Sequence, residues 1–359
     1  RNLSSQMGGY VINTGPVIDA SQSDIDNALN TAQAAQEAWD RVGGAARGKI
    51  LRQAADDMEN AMPELIAICV QEARKTLDDG IAEVREAVDF LRYYACRAEQ
   101  EFEAAEELPG PTGEANSISL HGRGVFACIS PWNFPLAIFT GQVSAALAAG
   151  NSVVAKPAEQ TPIIAQRAVQ ILHDAGVPMQ VLHLLPGRGA NLGNALIKQP
   201  HIAGVAFTGS LATAKHIQHA LSENHREILP LIAETGGQNA MIVDATALPE
   251  QVVKDVIDSA FRSAGQRCSA LRVLFVQQEM ATDLLNLLTG AMATLVVGDP
   301  QQQHTDIGPV IDQKALDRLH QHRTRMDSEA ELIFRCPLPE HHSKGTFYPP
   351  ECYRLKNVQ

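Results

Sequence analysis

Apolar residues recur at helical spacing through the first hundred positions. Ile25, Ala28, Leu29, Ala32 and Ala35 share one face, which predicts a helix over 23–42 with Ser23 as its cap. A longer amphipathic helix is predicted over 45–75, with a possible break near Pro63, where the missing N–H disrupts helical bonding. A third is predicted over 77–103, striped by Ile81, Val84, Val88, Leu91 and Ala95. The charged residues between these apolar positions read as its solvated face. Leu108-Pro109-Gly110-Pro111-Thr112-Gly113 breaks the pattern. Over 116–121, Ile118 and Leu120 alternate with Ser117 and Ser119, as on a half-exposed strand.

The period then changes. Short apolar runs over 124–130, 152–156, 181–185 and 202–207 predict buried strands. Helical stretches over 134–149, 162–175, 190–198 and 211–221 separate and follow them, with glycines near the joins. This alternation predicts βαβ units and a mostly parallel sheet, which binds ligands at the carboxyl ends of its strands. A second α/β pattern follows, with strands over 240–243, 272–276 and 331–334 and helices over 249–264, 280–295 and 313–326. The predicted domains are 1–233, with 108–122 as a linker or hairpin, and 234–359.

Composition narrows the function classes. At 359 residues the chain has room for two domains of ~150 residues. Apolar residues make up 45%, enough for a sizeable core, and the formal charge of −12 argues against a nucleic-acid footprint. Cys69, Cys96, Cys128, Cys268, Cys336 and Cys352 form neither a C-x-x-C pair nor a zinc spacing, so they read as reduced thiols of a cytoplasmic protein. No apolar run reaches the ~20 residues of a membrane span. Residue 1 is Arg, and the chain stops at Gln359 shortly after the strand-like Phe347-Tyr348-Pro349-Pro350. Both ends read as those of a fragment.

Chemistry concentrates in a few turns. Ala233-Glu234-Thr235-Gly236-Gly237-Gln238-Asn239 sets a carboxylate on a glycine turn, and Gly265-Gln266-Arg267-Cys268-Ser269 sets a thiol after another. A thiolate to attack and a carboxylate to move protons suit covalent catalysis. Taken singly, Cys268 would be a core thiol and Glu234 an ordinary turn carboxylate; Arg267 beside Cys268 favours the thiolate. Asn133, in Pro131-Trp132-Asn133-Phe134-Pro135, offers an amide donor to an oxyanion, although an Asn in a turn is commonly structural. Lys156 and Glu159 are spaced to grip the hydroxyls of a ribose, or to form a surface ion pair. An acidic residue there would repel a 2′-phosphate and favour NAD over NADP. Phe207-Thr208-Gly209-Ser210 enters a helix as a phosphate loop or as an ordinary turn, and Pro186-Gly187-Arg188-Gly189 is a weaker version. No G-x-G-x-x-G is present. His216/His219 and His320/His322 lack a third ligand and read as exposed helix faces; His341 and His342 receive no role.

Taken together and in this order, these motifs resemble the NAD(P)-dependent aldehyde dehydrogenase superfamily. Four stretches are similar to a finer group, the L-glutamate γ-semialdehyde (Δ1-pyrroline-5-carboxylate) dehydrogenase module of bifunctional proline utilisation proteins. They are 81–95 (Ile81-Ala82-Glu83-Val84-Arg85 onward), 120–125, 132–142 and 233–244.

The resemblance implies an aldehyde dehydrogenase-like α/β fold, with a Rossmann-type NAD-binding domain and a truncated catalytic domain. It implies Cys268 as nucleophile, Glu234 as base for the deacylating water, and Asn133 with the Cys268 N–H as oxyanion hole. Lys156 and Glu159 would meet the adenosine ribose, and Gly209 and Ser210 the pyrophosphate. Trp132, Thr208 and Gly189 would line the cofactor cleft. Ser269 would hold the substrate carboxylate, and Arg267 would assist electrostatically.

The implied reaction is NAD-dependent oxidation of L-glutamate γ-semialdehyde to L-glutamate through a thiohemiacetal and a thioester. A proline dehydrogenase module is expected upstream in the same polypeptide, and the full-length protein is expected to be a homo-oligomer. Ala214 stands where the family often has a second glycine. The family pattern continues past Gln359 with an E-x-F-G-P motif, a substrate-carboxylate loop and oligomerisation strands. The alternatives are therefore an inactive fragment with part of the nucleotide site, or a dehydrogenase for another semialdehyde.

Overall fold

The computed structural model describes residues 17–338 and 345–355. Among the described residues four helices come first: α1 (Gln22–Asp40), α2 (Gly44–Asn60), α3 (Met62–Ala73) and α4 (Leu77–Glu101). Ser21, not Ser23, caps α1, because Ser21 and Asp24 form a reciprocal capping box. The predicted helix over 45–75 is two helices, parted at Ala61 just before Pro63. A hairpin follows, β1 (Glu106–Leu108) against β2 (Asn116–Ile118). Strand β1 has no apolar alternation to reveal it, and every residue of both strands is exposed, not half-exposed.

The next elements alternate: β3 (Val125–Ile129), α5 (Ala137–Ala148), β4 (Ser152–Lys156), α6 (Pro162–Asp174), β5 (Leu182–Leu184), α7 (Asn194–Ile197), β6 (Ile202–Gly209), α8 (Leu211–Asn224) and β7 (Leu231–Thr235). The predicted helix over 190–198 is a π-helical turn, Gly189–Gly193, running into the short α7. The five strands form one parallel sheet in the order β5-β4-β3-β6-β7. The chain moves outward one way from β3 to β5 and then returns to the other side, so the order reverses between β3 and β6.

Alternation along the strands builds the two faces. Val125, Ala127, Ile129, Val205 and Phe207 join α1 and α8 in one buried cluster. Helix α5 packs on β3, β4 and β6 and is apolar around its circumference, with nine buried residues. Its ends are closed by charges that match the helix dipole. At the N-terminus Glu83 Oε2 accepts from Leu136 N (3.1 Å) and Ala137 N (2.9 Å). At the C-terminus Arg47, 1% exposed, donates from Nε to the Ala148 carbonyl (3.0 Å), and Trp39 Nε1 donates to the Leu147 carbonyl (3.0 Å).

The remaining elements are β8 (Asn239–Val243), α9 (Pro249–Phe261), β9 (Leu271–Val276), α10 (Gln278–Ala293), α11 (Gln313–Glu329), β10 (Glu331–Arg335) and β11 (Glu351–Arg354). Strands β8 and β9 pair in parallel, and β10 and β11 pair antiparallel. Val243, Val252, Val256, Leu284, Leu288 and Met292 centre their core.

The described residues form two compact units, 17–73 with 81–235, and 74–80 with 236–338 and 345–355. Residues 74–80, which the sequence-level boundary places in the first domain, group with the second unit. The solvated-face reading of α4 holds for Asp78, Arg85, Glu86 and Asp89 but not for Asp79, 4% exposed, or Glu83, 1% exposed: Asp79 accepts from Ser263 N and Glu83 from Leu136 N and Ala137 N.

Candidate active site

In the first unit the candidate residues gather where the parallel strands end. The turn bearing Trp132 and Asn133 follows β3, and both residues are half-buried. Lys156 ends β4 and is 3% exposed, with Nζ donating to the Pro157 carbonyl at 2.7 Å. Burial pulls its pKa down, opposed by the charges of Glu159 and Asp19. Glu159 is exposed three residues later. Gly189, beyond β5, opens the π-helical turn, and a Cβ there would meet nothing within 4 Å.

Thr208 and Gly209 end β6, and Ser210 caps α8 by accepting from Thr213 N at 3.1 Å. A Cβ on Gly209 would come within 2.6 Å of the Phe207 ring, so a side chain there would displace a buried aromatic. Gln142, which the sequence reading gives no chemical role, ties the β3 and β6 ends together. Its Oε1 accepts from Ser130 Oγ (2.8 Å), and its Nε2 donates to Thr208 Oγ1 (3.0 Å).

Glu234 lies on a strand, which corrects the turn expected from its glycines. It sits in β7, in parallel register with Thr208, and its side chain is exposed at the edge of the sheet. The glycines begin one residue after the strand ends. The apolar run Leu231-Ile232-Ala233 is too short to announce a strand before a Glu-Thr-Gly-Gly sequence.

In the second unit Cys268 follows α9 and a tight turn. Of the six cysteines it alone is exposed. Burial raises the thiol pKa of Cys128 to about 12 and of Cys336 to about 11, which leaves both protonated and inert near neutrality. The turn before Cys268 departs from the helix predicted to Ala264. Helix α9 stops at Phe261, and Ser263 (φ 54°) and Ala264 (φ 54°) are left-handed ahead of Gly265 (φ 67°). A non-glycine residue in that region costs about 1–3 kcal/mol and persists where its surroundings over-determine it.

They do so here. Asn239 Nδ2 donates to the carbonyls of Cys268 (2.7 Å) and Ala270 (2.9 Å). Arg272 donates to the Gly265 carbonyl at 2.8 Å, and the Gln266 side chain bonds both the Ser263 carbonyl and Ile311 N. Arg267 Nη1 donates to the Asp258 carbonyl at 3.3 Å, and Ser269 is exposed beside Cys268. A Cβ on Gly236 or Gly237 would meet no atom of the described residues within 3.4 Å.

His216, His219 and His320 have local partners. His216 bonds Asn194 Oδ1 (2.6 Å), His219 pairs with Glu223, and His320 meets the Tyr348 ring edge-on. His341 and His342 lie outside the described residues. Among the described residues no helix is long and apolar enough to cross a membrane.

Comparison with known proteins bears on the family and the fold. The sequence profile of the aldehyde dehydrogenase family matches residues 11–356. "Bifunctional protein PutA" of Klebsiella aerogenes is 47% identical over 349 residues, 95% of this chain and 26% of that protein. "1-Pyrroline-5-carboxylate dehydrogenase" of Anoxybacillus flavithermus is 34% identical over 344 residues, 94% of this chain and 66% of that protein. A crystal structure of bifunctional proline utilization A (PutA) superposes with a TM-score of 0.95 at 50% identity, covering 99% of this chain and 36% of that one. The chain thus spans about a quarter of the curated bifunctional relatives. A profile match over nearly its whole length, with a matching fold, shows that this chain belongs to the aldehyde dehydrogenase family.

Proposed function

We propose that this chain oxidises L-glutamate γ-semialdehyde, the open form of Δ1-pyrroline-5-carboxylate, to L-glutamate with NAD as electron acceptor. Cys268 as the one exposed thiol, on an over-determined turn, carries the proposal. The substrate comes from what the relatives are named for. The family generally uses NAD(P), and the strand ends fit such a dinucleotide. A buried lysine and an exposed glutamate stand at β4, open space surrounds Gly189, and a helix begins at Ser210. Glu159 disfavours a 2′-phosphate, which favours NAD over NADP. Gly209 and Ser210 would meet the pyrophosphate, and Trp132, Thr208 and Gly189 would line the cofactor cleft.

Bound nicotinamide supplies the hydride acceptor. The chain's own groups do the rest. The Cys268 thiolate adds to the aldehyde carbon and forms a thiohemiacetal, with Arg267 adding positive charge beside it. The Asn133 amide and the Cys268 N–H donate to the oxygen that becomes negative. Once the carbon is oxidised, the acyl group is a thioester on Cys268. Glu234 takes a proton from water, which attacks the thioester and releases the carboxylate. Ser269 donates to the substrate's α-carboxylate. A proline dehydrogenase module in the same polypeptide, cytoplasmic location and homo-oligomeric assembly complete the proposal.

NADH formation across a panel of semialdehydes tests it, with equilibrium NAD binding measured in parallel. The expected result is NAD binding together with highest kcat/KM for glutamate semialdehyde, lost in Cys268→Ala by roughly 10³-fold or more. NAD binding without turnover would support a nucleotide-binding, non-catalytic chain. A higher kcat/KM for another semialdehyde would reassign the substrate.

A further inference from the structure

The segment that aims Cys268 is held from a point far away in sequence. Ser263, Ala264 and Gly265 are left-handed in succession, a conformation that L side chains rarely adopt. Asp79, at the start of α4, faces this turn. Its Oδ2 accepts from Ser263 N at 3.1 Å, and its Oδ1 pairs with Arg262 Nη2 at 3.2 Å. The carboxylate is 4% exposed, and the Asp79 N–H donates to Thr76 Oγ1 at 3.4 Å. An acid in the first turn of a helix ordinarily serves the helix dipole, which solvent-facing Asp78 already does. Asp79 instead commits both oxygens to residues 262–263, where the chain leaves α9 and turns toward the thiol. The Arg262 side chain in turn gives the buried Asp79 carboxylate a countercharge.

We propose that Asp79 is a positioning residue: it locks the left-handed turn Ser263–Gly265 and thereby sets the direction in which Cys268 is presented. The inference rests on Cys268 being the nucleophile.

The test compares Asp79→Ala, Asp79→Asn and an Asp78→Asn control by hydrogen exchange, Cys268 alkylation with iodoacetamide, and the split between kcat and NAD affinity. In Asp79→Ala, exchange of amides in 262–267 should rise at least about tenfold while other segments keep their protection. The alkylation rate of Cys268 should change, and kcat should fall with NAD affinity within about twofold of the parent. Asp79→Asn keeps one acceptor for Ser263 N–H and loses the charge facing Arg262, so its effect should be intermediate. It also serves as the decisive variant should Asp79→Ala lose protection everywhere. Asp78→Asn should match the parent.

Unchanged exchange over 262–267 and unchanged alkylation in both Asp79 variants would overturn the proposal. The underlying reading fails separately: Cys268→Ala oxidising the aldehyde at the parent rate would remove the nucleophile, whatever the turn does.

Discussion

Lys156 joins burial to charge at a strand end. Its amine donates to the Pro157 carbonyl and has the capacity for two further bonds to a ribose. Lys156→Met keeps the stem and removes the charge. NAD affinity should fall about 10- to 100-fold, the worth of a hydrogen bond to a charged group; titration of the variant with NAD checks this, and an unchanged affinity would remove Lys156 from the site. The residue types at the strand ends were legible in the sequence because glycine, proline and lone polar residues punctuate βαβ units. What the chain order hides is which acids turn inward. Asp79 and Glu83 occupy positions that helical periodicity assigns to solvent. They are buried because each meets donors of a distant element, Ser263 N and Arg262 for Asp79 and Leu136 N and Ala137 N for Glu83, a pairing that no local pattern encodes. Glu234 was recognisable as a candidate, but its place on a strand was not, since β7 owes its form to pairing with β6.

At the scale of elements, carboxylates of the N-terminal helices seat the helices that follow the turns bearing Asn133 and Glu159. Glu83 closes the start of α5, just after Asn133. Glu72 on α3 accepts from Ile163 N (2.7 Å) and Ile164 N (2.9 Å) at the start of α6, just after Glu159, and Glu64 holds Arg167 on the same helix. Burial pushes the Glu72 pKa up to about 7, against the lowering by the two N–H donors. The unfolded chain releases this proton near the ordinary 4.5, so the folded state holds it more tightly. The stabilisation belonging to the protonated form is complete below about 4.5 and is lost as pH rises through about 7. Glu72→Gln does not titrate. Its melting temperature relative to the parent should therefore rise from about pH 5 to about pH 8, and a flat or falling difference would contradict the assignment. Element order and period were readable from the sequence to within a few residues. The exceptions include β1, β7, the 190–198 stretch, the end of α9 and the strand read at 347–350, which forms instead at Glu351–Arg354, where pairing or tertiary hydrogen bonds override local preference.

At the scale of the whole molecule, the five-stranded sheet is covered on both faces, whereas β8 and β9 form a two-stranded parallel sheet among the described residues. Parallel strands are usually buried on both sides, yet Ile242 on β8 is 83% exposed and Ile232 on the edge strand β7 is 57% exposed. Concentration-dependent self-association is expected in sedimentation velocity, and Ile242→Lys should reduce it; a monomer at all concentrations would show that these strands do not act as adhesive edges. The central claim is that Cys268 carries the acyl group and Glu234 releases it. The most direct measurement is acid-quench mass spectrometry of Glu234→Gln after mixing with NAD and L-glutamate γ-semialdehyde. The account predicts a burst of about one NADH per chain and a glutamyl thioester on the peptide containing Cys268. Linear turnover at the parent rate, or NADH formed with no adduct at Cys268, would contradict it.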